Sequence, residues 1–233
     1  NIELPDIVKR PKKSVSILMP CYNINANFFS KTLESIKHQQ YPIFINLVCI
    51  NDGSNKICTD LLKKMLLEFE KSSRWIKVLY IENEKNIGIG PTLHRGVSLC
   101  PDEIVFRMDS DDIMTQNRIE LQFTFMEKTP NCVVCGGQVS FFKGNSLTSN
   151  GRTNHPTLTL KEYMENPKIW IMNHPALCFK KSKILEVGNY NKNIRETYED
   201  FELELRILKK FGIIHNLPDV ILFYRDHPLQ ITK

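Results

Sequence analysis

Strongly apolar runs recur along the first half of this chain, and each stops at a polar, turn-forming cluster before a longer amphipathic stretch begins. Residues 15–19, 45–50, 75–81 and 104–108 carry the β-branched and aromatic side chains of strands. Between them, 28–39, 60–69 and 91–99 have helical spacing, with Leu61, Leu62, Met65, Leu66 and Phe69 marking the apolar face of the second. Strand and helix in strict turn imply an α/β fold with a mainly parallel central sheet, right-handed crossovers and helices on both faces. Such sheets bind ligands beyond the carboxyl ends of their strands. The residues to inspect are therefore Pro20, Cys21, Tyr22 and Asn23; Asn51, Asp52, Gly53 and Ser54; the run from Asn83 to Gly88; and Asp109, Ser110, Asp111 and Asp112.

Beyond Asp112 the alternation loosens. A helix is expected over 118–128, a long strand over 132–142, a turn over 143–146, and a mobile loop in the Ser-, Thr-, Asn- and Gly-rich stretch 145–157. A helix over 199–211 and a strand over 220–224 complete the pattern, without internal repeats. The 233 residues are 42% hydrophobic and 24% charged, with 10 Gly and 12 Pro, which excludes collagen-like, low-complexity and disordered chains. That length suits a basic leader over 1–13 followed by one domain over 14–233. The net charge of +5 is spread along the chain. Its densest run, Lys9, Arg10, Lys12 and Lys13 around Pro11, reads as a solvated leader rather than a contact with anionic lipid or nucleic acid.

No apolar run approaches the roughly 18 to 20 residues needed to cross a bilayer, and no signal-peptide pattern opens the chain. The 7 cysteines are scattered and odd in number, as expected of buried free thiols in a reducing compartment such as the cytoplasm. Cys132 and Cys135 stand three apart in a β-like run, so their side chains are expected on opposite faces and not around a zinc ion. Because the chain opens at Asn1, a longer parent with further domains or targeting elements is expected.

Four groups of residues could carry chemistry. Asp109, Asp111 and Asp112 crowd three carboxylates behind a buried strand. Their repulsion is relieved either by Mn²⁺ or Mg²⁺, which favour oxygen ligands, or by service as the N-cap and first-turn acids of the helix after Thr115. Asp52 followed by Gly53 is an ordinary turn, yet at the end of a strand its carboxylate can accept the imide hydrogen of uracil while the ring of Tyr22 stacks on the base. Glu199 and Asp200 open a helix, where they complement the helix dipole or supply a base. Neighbours there point about 100° apart, so only one is expected to face a shared pocket. His227 is either a loop residue or an imidazole aimed at a metal.

In order, Val15-Ser16-Ile17-Leu18-Met19-Pro20-Cys21-Tyr22-Asn23, Asn51-Asp52-Gly53-Ser54, Asn86-Ile87-Gly88, Met108-Asp109-Ser110-Asp111-Asp112, Asn173-His174-Pro175, Tyr198-Glu199-Asp200 and Tyr224-Arg225-Asp226-His227 resemble the family-two glycosyltransferases, inverting enzymes of the GT-A fold with nucleotide-sugar donors. The resemblance covers roughly residues 14 to 232. It implies a donor half over 14–112 and an acceptor and catalytic half over 113–233. Pro20, Tyr22, Asn23, Asp52, Asn86, Gly88, Asp109 and Ser110 would hold a UDP-sugar, with Asp111 and His227 on a Mn²⁺ or Mg²⁺ ion. Asp200 would be the catalytic base with Glu199 positioning the acceptor, and His174 and Trp170 would contact that acceptor. The family often continues after Asn-x-Gly with a small residue and an Arg-x-Asn-like stretch. Here Thr92-Leu93-His94-Arg95-Gly96 stands instead, leaving the basic donor contact to Arg95 or His94.

The resemblance implies transfer of a hexose-type sugar to a glycan, lipid-linked or protein hydroxyl, and the closeness of His227 to the last residue, Lys233, implies a further C-terminal region in the parent. Three rival classes stand beside this reading. A phosphohydrolase carries its Asp-x-Asp after the first strand, where this chain has Pro20 to Asn23. A Rossmann oxidoreductase needs a third glycine where Leu93 follows Gly88 and Gly90. A nucleotide- or carbohydrate-binding module without turnover shares every residue named above.

Overall fold

The computed structural model describes residues 11–144, 147–168 and 170–227. Most of the basic leader, and Asn145 and Ser146 of the expected turn, lie outside them. The alternation of the first half is realised as β1 (Ser14–Cys21), α1 (Ala26–Lys37), β2 (Phe44–Asn51), α2 (Lys56–Lys71), β3 (Ile76–Glu82), α3 (Ile89–Leu99) and β4 (Ile104–Arg107). The strands lie in the order β3-β2-β1-β4 and are all parallel. The chain steps outward from β1 to β3 and then returns to the other flank of β1. The carboxyl ends of β1 and β4 therefore border the crevice where a sheet of this kind takes its ligand.

Apolar residues on successive positions of each strand face opposite layers. Ile17 and Met19 of β1, with Leu47 and Cys49 of β2, pack under α1 and α2. Leu18, Val48 and Ile50 pack under α3 and, further along, α7 (Glu199–Phe211). Being covered on both sides, these strands read as near-continuous apolar runs. The helices begin where side chains can cap them. Asn25 Oδ1 accepts from the backbone N–H of Asn27 and Phe28 at 3.0 and 3.2 Å, and Asn55 Oδ1 accepts from Cys58 at 2.9 Å.

The second half adds β5 (Ile113–Met114), α4 (Arg118–Lys128), β6 (Val134–Lys143), β7 (Leu158–Thr159), α5 (Leu160–Glu165), β8 (Cys178–Lys180), α6 (Lys181–Glu186), α7 and β9 (Ile213–Asp226). Strand β8 pairs antiparallel with both β4 and β6, β6 runs parallel to β9, and β5 closes the edge antiparallel to β9. The sheet is thus parallel in its first half and mixed in its second.

Strand β9 begins seven residues before the expected 220–224, where His215, Asn216 and Asp219 interrupt the apolar pattern and Pro218 lacks a ladder N–H. The irregularity is absorbed by a register shift: Gly136 pairs with Asn216 but Gln138 with Val220. The stretch expected as a mobile loop is fastened where it is described. The amides of Asn150 and Thr153 donate to Phe141 and Val139 of β6, and Phe141 N–H donates to Gly151. Its Ser and Thr side chains join in, through Ser140 Oγ to Ser149 at 2.8 Å and Thr153 Oγ1 to Gln138 at 3.1 Å. All seven cysteines are free, and all but Cys58 are buried.

Candidate active site

The polar clusters after β1, β2 and β3 are tied to one another. Asn23 N–H donates to Ser54 Oγ at 2.9 Å, and Asn23 Oδ1 accepts from Asn55 N–H at 2.9 Å. Asp52, 5% exposed, is more heavily engaged than a turn residue. Its carboxylate accepts from Asn83 Nδ2 at 2.8 Å and from the backbone N–H of Ile87 and Gly88, both at 2.9 Å. Gly88 sits at φ 95°, and a β-carbon there would strike the backbone of Arg195. Arg195 in turn donates to the carbonyls of Ile87 and Asn86 at 2.9 and 3.2 Å. Asn86 is exposed, Pro20 is buried, and Tyr22, at the end of β1, is half exposed beside this fastened loop.

Of the two candidates for a basic donor contact, Arg95 reaches the loop, donating to Asn83 Oδ1 and, at 3.3 Å, to the Glu82 carbonyl. His94 does not, because its Nδ1 lies 2.6 Å from the Tyr190 carbonyl and ties α3 to the segment after α6.

After β4 the acids part company. Asp109 lies 2.5 Å from Arg107 Nη1. Asp111 Oδ2 lies 2.9 Å from His227 Nε2, a pairing across 116 residues of sequence. Burial and the negative charge of Asp109 push the Asp111 carboxyl upward, and His227 offsets part of that rise. Two partly exposed carboxylates that repel each other, one beside an imidazole, are donor types that Mn²⁺ and Mg²⁺ accept, although among the described residues it is His174, Glu199 and Asp200 whose possible ligand atoms all lie within 4.8 Å of one another. Asp112 is not a helix cap: α4 starts at Arg118, and Asp112, 1% exposed, accepts from the backbone N–H of Arg225 at 2.9 Å. Arg225 also donates through Nε to the Asp111 carbonyl at 2.8 Å, with its guanidinium between the rings of Phe28 and Phe142 at 4.2 and 4.5 Å. These contacts bring the end of β9, and so His227, to the acids. The Ser110 carbonyl accepts from Thr32 Oγ1 of α1 at 3.1 Å.

Glu199 and Asp200 both face the same imidazole, contrary to the single-facing expectation. His174 Nδ1 is 3.9 Å from Glu199 Oε1 and 4.0 Å from Asp200 Oδ2. Both fit because they stand at the very start of α7, after Tyr198 in left-handed conformation at φ 66°, and a Glu side chain is one methylene longer than Asp. Burial, then the neighbouring Asp200 charge, raises Glu199 to about 7. His174 is itself buried, with Nε2 2.8 Å from Tyr190 Oη, and burial holds its pKa well below the usual imidazole value, so it is neutral. It lies beneath the carboxylates rather than on an open acceptor surface. Trp170 is 56% exposed and stacks on exposed Tyr198, with ring centroids 6.3 Å apart and planes within 13°.

Arg107 and Tyr190 lie outside the motifs read from the sequence, and Asn83 and Arg225 lie inside motifs that gave them no role, although each organises part of this site. For Arg107 a signal was present, since a charged residue closing the apolar run Ile104-Val105-Phe106 needs a partner if it is buried. The other three act through residues far away in sequence.

A parallel-to-mixed sheet with acids, an imidazole and a fastened Asn-x-Gly loop at its carboxyl edge is the GT-A glycosyltransferase fold. The chain belongs to glycosyl transferase family 2, whose family model matches residues 16–188. It is 31% identical over 224 residues to the amylovoran biosynthesis glycosyltransferase AmsE of Erwinia amylovora, covering 94% of this chain and 78% of that protein. Over 213 residues it is 31% identical to the UDP-Gal:alpha-D-GlcNAc-diphosphoundecaprenol beta-1,3-galactosyltransferase of Escherichia coli, covering 90% of this chain and 73% of that one. Among solved structures, S. aureus TarS 1-349 in complex with UDP-GlcNAc superposes with a TM-score of 0.70 at 15% identity, covering 93% of this chain and 60% of that chain. No helix among the described residues is long and apolar enough to cross a membrane.

Proposed function

We propose that this chain transfers a hexose from a UDP-sugar to a hydroxyl acceptor in a single inverting displacement, with residues 14–112 holding the donor and 113–233 the acceptor and the base. The observation that carries the reading is the convergence of Asp109, the Asp111–His227 pair at 2.9 Å and the Glu199–Asp200 pair around Arg107 and His174. The UDP-sugar complexes and names of the relatives support it, and the Escherichia coli relative favours a lipid-linked acceptor over a protein one.

Each residue has a task. Tyr22, half exposed, offers its ring to the uracil face. Asp52 has about four lone-pair sites, and three are occupied by the loop, so one remains for the imide hydrogen. Arg95, through Asn83, keeps the loop in place. Asp111 and His227 would hold a Mn²⁺ or Mg²⁺ ion beside Asp109, and that ion when bound supplies positive charge against the departing diphosphate. Asp200, the more open of the two acids, takes the acceptor proton as the oxygen attacks. Glu199, with its carboxyl near 7, and neutral His174 fix the direction from which that acceptor approaches, against the Trp170–Tyr198 aromatic wall.

A panel of uridine, guanosine and thymidine diphosphate sugars with Mn²⁺, scored for acceptor-free hydrolysis and for transfer to polyprenyl-diphosphate sugars, tests the reading. Turnover restricted to uridine donors is expected. Nucleotide binding with no turnover across the panel would instead make the chain a binding module.

A further inference from the structure

The compact group of possible metal ligands, His174, Glu199 and Asp200, surrounds the proposed base and not the donor acids. His174 and Glu199 are each 6% exposed, so the ring and the longer acid are shut away from bulk water. The outer side of two of the three groups is already fixed. His174 Nε2 lies 2.8 Å from Tyr190 Oη, and Asp200 Oδ1 accepts from the Phe201 N–H at 2.7 Å. What remains faces inward: His174 Nδ1 stands 3.9 Å from Glu199 Oε1 and 4.0 Å from Asp200 Oδ2, too far for hydrogen bonds. Among the described residues no hydrogen bond from another residue reaches any of these three atoms. With the ring proton on Nε2 and given to Tyr190, Nδ1 turns a lone pair toward both carboxylates.

Electron-pair donors that face one another in a buried place repel unless a proton or a cation stands between them. Zinc binds imidazole nitrogen and carboxylate oxygen at about 2.0–2.2 Å, which sets its ligands roughly 3.3 Å apart at tetrahedral angles. The two separations from Nδ1 exceed that by roughly 0.6 Å, within reach of a small turn of the Glu199 and Asp200 side chains. Tyr190, holding the other ring nitrogen, is the kind of outer contact that orients a metal-bound imidazole. Mg²⁺ prefers oxygen throughout and keeps its waters, so an imidazole-containing set suits it less well. Resting on the function proposed above, we propose that His174, Glu199 and Asp200 form a zinc site separate from the Asp111–His227 pair, and that Zn²⁺ bound there switches transfer off by engaging the lone pair with which Asp200 takes the acceptor proton.

The test titrates the chelator-treated whole chain with Zn²⁺ by calorimetry, follows its melting, and then assays transfer with Zn²⁺ added at saturating Mn²⁺ and UDP-sugar. Wild type is compared with His174→Gln, Glu199→Gln, Asp111→Asn and Cys58→Ser, the last because Cys58 is the one cysteine that is not buried. Wild type is expected to bind one tight equivalent of zinc, to melt higher with it, and to lose transfer as it fills, with UDP affinity unchanged. That equivalent should weaken by about tenfold or more in His174→Gln and Glu199→Gln and persist in Asp111→Asn and Cys58→Ser. Should His174→Gln fail to fold, the isosteric Glu199→Gln decides. Undiminished zinc affinity in a folded Glu199→Gln, loss of the equivalent in Asp111→Asn or Cys58→Ser, or full transfer with zinc bound overturns this proposal and leaves the proposed function standing. A wild type that transfers no sugar even without zinc overturns the function and the switch together.

Discussion

Replacing Asp52 by Asn should loosen the donor edge before any chemistry is tested. The carboxylate accepts three hydrogen bonds, two of them from backbone amides of the loop that starts α3. An amide oxygen at the Oδ1 position can still accept from Asn83 and Ile87, but its NH₂ group then faces the buried N–H of Gly88, donor to donor. One hydrogen bond to a charged group is worth about 1.5–3 kcal/mol, and the two that survive weaken from charged to neutral, so about 2–3 kcal/mol is expected in all. For a chain of this size that corresponds to a fall of about 4–12 °C in melting temperature. Differential scanning calorimetry reads the shift, and amide hydrogen exchange locates it, with Ile87 and Gly88 exchanging faster while the α2 amides do not. A melting temperature within about 1 °C of wild type and unaltered exchange at those two amides would refute the claim that Asp52 fastens this loop.

Three more outcomes are expected. Because the folded state holds Glu199 near 7, above its ordinary 4.5, the native chain keeps a proton that the unfolded chain releases between those values. Stability should therefore fall as pH rises across that window, by roughly 3 kcal/mol at most, and urea denaturation should show Glu199→Gln to have lost that slope. Asp111→Asn relieves a carboxylate repulsion, so it should fold normally yet lose about tenfold or more of its Mn²⁺-dependent UDP affinity in calorimetry, and wild type in excess chelator should behave the same way. Asp200→Asn should lower turnover by at least about a hundredfold with UDP affinity unchanged; full turnover in a transfer assay would remove Asp200 as the base.

What could be read from the sequence was local. The strands β1 to β4 are buried on both faces and the clusters that end them are polar, so apolar runs and turn residues marked both the sheet and its binding edge. Helices α4 and α7 were equally plain, with Ile119, Phe123 and Met126 in one and Leu203, Ile207 and Leu208 in the other at helical spacing. Strands β5, β7 and β8 span two or three residues each, too short for any periodicity, and exist only because β9, β4 and β6 offer ladders to them. The same distinction divides the site. Asp109, Asp111, Glu199 and Asp200 stand in conspicuous clusters. A charge closing an apolar run marks Arg107 as a residue in need of a partner, but nothing local announces that Arg225 caps Asp112 or that the Tyr190 hydroxyl orients His174, because those pairings are made by the folded chain.

The Asp111–His227 pairing gives the donor edge a timetable. During synthesis at about 5–20 residues per second, the 116 residues that separate the two take roughly 6 to 23 s to be made. Over that interval β1 to β4 can assemble, since every pairing among them lies within residues 14–107. Asp111 must wait for its imidazole and Asp112 for the backbone N–H that caps it. Strand β9 carries Arg225, which caps Asp112, and leads directly into His227, which pairs with Asp111. On the function proposed above, a nascent chain would own its nucleotide cradle well before its metal ligands, and competence for donor binding should emerge in two steps on the ribosome.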